Sequence, residues 1–79
     1  MTPADRSAMV RGMVDRLASR LARSPHDADG WIMLIRAHVV LGEADLAKQA
    51  LASGLAAFAD DAAERDRITA AAQGLGVSQ

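Results

Sequence analysis

Apolar residues fall along the chain in four periodic runs separated by short polar breaks. In the first run Met9, Val10, Met13, Val14, Leu17 and Leu21 recur at intervals of three and four. That spacing gathers them on one side of a helix and leaves the arginines opposite. Thr2 before Pro3, with Asp5 at the third helical position, predicts how the helix starts: a capping hydroxyl, a first-turn proline and an acid set against the helix dipole. Ser24-Pro25 predicts where it stops, because the residue before a proline is pushed out of the helical region.

Asp27 is placed to cap a second helix over Ala28–Leu41, with Gly42 taking the left-handed conformation that closes it. A third helix is predicted over Ala44–Phe58, with Leu46, Ala47, Ala50, Leu51 and Leu55 as its inner stripe. Gly54 interrupts that stripe. A mid-helix glycine costs about 1 kcal/mol, so its presence predicts that a neighbouring helix comes close. Asp61 and Glu64 predict a capping box for a fourth helix through Gln73. Its apolar side is mostly alanine plus Ile68, which reads as a cover rather than a core element. Residues 76–79 are predicted to fray. The pattern therefore predicts one all-α domain over 1–75, built of antiparallel helical hairpins joined by short turns.

Composition narrows the chemistry. Apolar residues make up 51% of the 79, with one Trp, one Phe and no Tyr, so small aliphatic side chains suited to close helix packing dominate. A chain this short buries only a thin core. Net charge is −1, which gives no global pull toward nucleic acid or a lipid surface. The distribution is uneven: Arg6, Arg11, Arg16, Arg20 and Arg23 face only Asp5 and Asp15 in the first 24 residues, a formal +3 against −4 for the rest. Internal pairing and a solvated face both account for that. The first helix has no stacking aromatics, which argues against single-stranded nucleic acid. With no cysteine, disulfides and thiolate chemistry are excluded. No apolar run reaches membrane-spanning length. His26 and His38 have no second ligand at metal spacing, Asp60-Asp61 reads as capping, and no phosphate loop or nucleophile motif occurs. The sequence calls for no cofactor, no metal and no catalytic residue.

Trp31, Leu34, Gly42 and Ala47 fall at offsets 0, 3, 11 and 16. This spacing resembles the tetratricopeptide repeat, with Leu51 in the place of its later aromatic and Pro25 where a preceding repeat would close. The resemblance implies a half repeat over 3–24, a full repeat over 28–59 and a capping helix over 61–73. Ile35, His38 and Ala59 depart from the usual small residue, tyrosine and proline. A second resemblance covers more of the chain. The Met-Val lead-in over residues 9–21, followed by Pro25-x-Asp27-x-x-Gly30-Trp31-x-Met33-Leu34-x-Arg36, is similar to the periplasmic repeat domain of the CycH (CcmI) family of c-type cytochrome maturation factors. That implies a chaperone that holds apocytochrome c by its C-terminal helical region and presents it to the haem-ligation machinery. It also implies either a periplasmic domain excised from an inner-membrane-anchored protein or a related standalone protein.

In such repeats the inner helix lines a concave groove. With Trp31, Leu34, Ile35 and His38 assigned to the core, Asp29, Ile32, Met33, Arg36, Val39 and Val40 remain to face a partner. Four of the six are apolar, which marks a binding strip. Other occupants stand beside an apocytochrome helix: the fourth helix, a second copy of the chain in a self-associating homodimer, or an unrelated client of a generic repeat adaptor.

Overall fold

The structure, a computed structural model, describes residues 2–78. Four helices follow one another: α1 (Pro3–Arg23), α2 (Ala28–Val40), α3 (Ala44–Ala57) and α4 (Ala62–Gly74). They form a slab 43 × 26 × 16 Å. The Thr2 hydroxyl accepts the Asp5 N–H at 3.1 Å while the Asp5 carboxylate accepts the Thr2 N–H, so α1 opens on a complete capping box. Asp27 caps α2 by accepting the Gly30 N–H, and Asp61 caps α4 by accepting the Glu64 N–H. The predicted box at Asp61 is only half formed, because the Glu64 carboxylate accepts from Arg67 instead.

Arg11 reaches Glu43 just beyond the end of α2, and Arg20 reaches Asp27 just before its start, so α1 and α2 run antiparallel. Leu21, fully buried, forms the contact: a Cβ on Gly30 would lie 2.8 Å from its Cδ2 atom. Gly54 serves the same purpose between α2 and α3, where an added Cβ would meet Trp31 at 3.1 Å. Trp31 is 7% exposed, and its indole N–H donates to the Pro25 carbonyl at 2.8 Å. It fills the wedge between hairpin arms as its size predicts. Phe58 closes α3, is buried, and meets the His26 ring in a T-shaped contact with the two planes near perpendicular.

Both α2 and α4 end in the same way. Gly42 has φ +75° and Gly76 has φ +82°. The Glu43 N–H donates to the His38 carbonyl and the Val77 N–H to the Ala72 carbonyl, each at 2.8 Å, while each glycine bonds one residue further on. These are Schellman closures. The second one corrects the expected frayed tail: Val77 is 7% exposed and part of the core, while Gln79 lies outside the described residues.

The caps Asp27 and Asp61, the buried pair Leu34 and Ile68, and the Leu41-Gly42 and Leu75-Gly76 turns each sit 34 residues apart. That is the length of one helical-hairpin repeat. α4 therefore holds the place that α2 holds one step earlier, and it packs on both α2 and α3. It is more than a cover, since Ile68 and Ala72 have no exposed surface.

Three expected core residues are not buried. Met9 is 50% exposed, Met13 55% and Leu46 40%. α1 packs on α2 alone, so its periodic apolar side is wider than the single face available to cover it. Leu46 falls at the rim of a gap between α1 and α3, which do not touch.

Candidate functional site

The six expected partner-facing residues divide into two adjacent stripes on α2. Asp29, Met33, Arg36 and Val40, spaced four, three and four, are all exposed. Met33 is 58% exposed and Val40 77%. Ile32 and Val39, seven apart, are half-buried and packed against the core. Val39 lines a small hollow with Ala44, Leu75 and Val77, so the domain's own C-terminal turn covers that end of the strip. Asp29 pairs with Arg67 of α4. With Asp29 in the first turn of α2 beside Arg67 in the middle of α4, and Val39 near the end of α2 beside Leu75 just after α4, the two helices run side by side and parallel. The result is a shared face on which Met33, Arg36 and Val40 stand free.

The positions expected to shape the repeat are brought together. Ala47 has no exposed surface, Leu51 is 2% exposed and Leu34 4%. Small Ala47 and Gly54 let α3 lie close on α2, Gly42 makes the reversal, and the Pro25 carbonyl anchors the indole.

His38, half-buried, has its Nδ1 atom 3.2 Å from Glu43 Oε1, and Arg11 donates to the other Glu43 oxygen at 2.8 Å. This cluster ties α1 to the α2–α3 turn. The Arg11 guanidinium, and then the His38 ring, hold the Glu43 carboxyl below its ordinary value near 4.5. At Asp27 the Gly30 N–H, and then Arg20, depress the carboxyl below 3.8. Carboxyls depressed in the fold add stability above their unfolded values and lose it as pH falls through the folded ones. Thermal stability is therefore expected to decline as pH drops below the ordinary values of about 4.5 for Glu43 and 3.8 for Asp27, as the two carboxyls take up protons. In a melting series over pH, Glu43→Gln should flatten the upper part of that decline. An unchanged profile would show the cluster to be energetically silent.

Sequence reasoning missed a cleft of about 270 Å³ between α1 and α3, floored by Trp31, Leu34 and His38 and walled by Ala18, Ala22 and Ala50. The alanines were its only signal. Among the described residues no cluster of His, Asp and Glu is arranged to hold a metal ion, and no helix is long and apolar enough to cross a membrane.

A slab of parallel-stepped hairpins on a 34-residue period is a helical-repeat scaffold. The chain belongs to the tetratricopeptide repeat family, whose model matches residues 14–72. It is similar to the cytochrome c-type biogenesis protein CycH of Rhizobium meliloti (strain 1021), 47% identical over 98% of this chain and 20% of that protein. A protein of the same name from Bradyrhizobium diazoefficiens is 48% identical over 77% of this chain and 16% of its own length. The chain thus spans a fifth or less of the curated relatives it matches. No solved structure matches it.

Proposed function

We propose that this chain is a non-catalytic protein-binding module of c-type cytochrome maturation, and that its α2 stripe holds the C-terminal helical segment of apocytochrome c. Both relatives are named for cytochrome c-type biogenesis. The observation that carries the reading is the pair Met33 and Val40, two turns apart on one face and more than half exposed, with Arg36 between them. An amphipathic helix docks by placing its apolar side on such a strip. Methionine adapts its shape to varied side chains, and an arginine amid them fixes a carboxylate on the guest. Hand-over to the haem-ligation machinery, and a place in the periplasm on an inner-membrane-anchored parent, go with this reading.

The test is a titration with a peptide spanning the C-terminal helix of a c-type cytochrome. Val40→Asp is the informative variant: the side chain is 77% exposed, so the fold tolerates the change while the apolar seat acquires a charge. Affinity is expected to fall about tenfold, equivalent to about 1.4 kcal/mol. Equal binding by both forms would remove the stripe from the interaction. Absence of binding, together with light scattering from a dimer that Val40→Asp dissolves, would make the strip a seam between copies of the chain.

A further inference from the structure

The first helix carries a face that the preceding reading does not use. Arg6, Met9, Met13, Arg16, Arg20 and Arg23 are spaced three, four, three, four and three, which sets them in one line along α1. All six are exposed. Arg20 pairs with Asp27 at 2.9 Å, whereas none of Arg6, Arg16 and Arg23 pairs with a carboxylate among the described residues. Asp5 is occupied in the α1 cap. Asp15 lines a hollow with Arg16, Arg20 and Arg23 but pairs with none of them among the described residues. Like charges three and four apart on a helix repel, so such a line is stabilised by acids arriving from outside.

Comparison within the molecule sharpens the point. One 34-residue step carries Met13, Arg16 and Arg20 of α1 onto Ala47, Ala50 and Gly54 of α3. Those three small residues are buried where α3 lies against α2, with Gly54 against the Trp31 ring. On α1 the same face bears one long flexible side chain and two guanidinium groups. No apolar helix can settle there at the distance Trp31 keeps from Gly54 without burying unpaired charge.

We infer that this line on α1 is a second docking face, built to receive an acidic amphipathic helix of a partner protein. The partner's carboxylates are spaced to meet Arg16 and Arg23, seven residues apart on either side of the Arg20–Asp27 pair, and its apolar residues fall at Met9 and Met13. Two methionines are too little apolar surface for a helix to embed in lipid. With no aromatic residue in α1, there is nothing for bases to stack on. The face stands on a different helix from the α2 stripe and holds whether or not that stripe binds a client.

The experiment uses the full chain and a fluorescent helical peptide with glutamates along one face and two leucines at one end, read by anisotropy. Arg16→Glu combined with Arg23→Glu is the variant, since among the described residues neither side chain makes a hydrogen bond or ion pair. Circular dichroism confirms that helicity is kept. Saturable binding to the native chain is expected, weakened about tenfold or more in the double variant, where like charges meet across the interface. Raising salt to about 0.5 M should weaken it likewise. The lysine counterpart of the peptide should not bind, and Val40→Asp should leave the affinity unchanged. Equal affinity of the double variant, no saturable binding, or tighter binding of the native chain to phosphatidylglycerol vesicles or duplex DNA than to the peptide would overturn the assignment.

Discussion

Replacing Trp31 by alanine is expected to remove most of the folding free energy of the domain. The indole is 7% exposed and holds three parts of the chain at once. Its body lies against Gly54 of α3, its N–H binds the Pro25 carbonyl in the α1–α2 turn, and its edge floors the cleft toward α1. Large-to-small changes at buried aromatics cost about 3–5 kcal/mol. Globular domains are stable by roughly 0.05–0.15 kcal/mol per residue, so a chain of this size has little in reserve. Neighbours cannot collapse into the space, because the nearest is a glycine on a rigid helix. Denaturant unfolding followed by helical circular dichroism should show the midpoint moving close to zero denaturant. Trp31→Phe, which keeps much of the volume but cannot donate to Pro25, should fall between the two. A loss under about 1 kcal/mol for alanine would mean that the arms of the hairpin close without their wedge.

Ile68→Ala comes next, at about 2–5 kcal/mol for a fully buried branched side chain. Ile68 has no exposed surface, and α4 reaches both α2 and α3. The expected signature is regional as well as global. Amides of α4 and of the Leu75–Val77 closure should lose exchange protection first, and Val39 should lose its cover. If the cost stays under about 1 kcal/mol and α2 keeps its protection, α4 is a loose flap and the second repeat step has no energetic content.

That prediction exposes where the sequence was legible and where it was not. Caps and closures depend on residues one to five apart, and Thr2, Asp27, Gly42 and Asp61 all act where local chemistry puts them. Gly54 was readable too, since a helix rarely keeps a glycine without a neighbour pressed against it. The role of α4 was hidden by one position. The site equivalent to Trp31 is Arg65, which donates instead to the Leu55 carbonyl at the end of α3. Without its aromatic the second step does not look like a repeat, although its Asp-Ala cap and Leu-Gly turn repeat those of the first.

Periodicity also reports which way a side chain faces but not whether anything lies there. Met9, Met13 and Leu46 belong to apolar stripes by spacing, yet α1 meets only α2, so all three stay open. On α2 spacing alone sets six residues, Asp29, Ile32, Met33, Arg36, Val39 and Val40, on the side expected to face a partner. That Ile32 and Val39 would pack on the core, Val39 beside Leu75 and Val77, while Met33, Arg36 and Val40 stay exposed depends on how two helices 34 residues apart lie beside each other. No local pattern states that.

Matching starts at Asp27 and Asp61 and matching ends at Gly42 and Gly76 give every unit the same two joints. A segment cut between Asp27 and Asp61 would leave an aspartate cap at the new junction, while the helix faces meeting there would change from Ala47, Ala50 and Gly54 to Met13, Arg16 and Arg20. Energy then accumulates between neighbours, unit by unit. The length of the ledge and the chemistry displayed on it become separate variables: one counts segments, the other is rewritten on the outward side of each, and neither disturbs the caps between them.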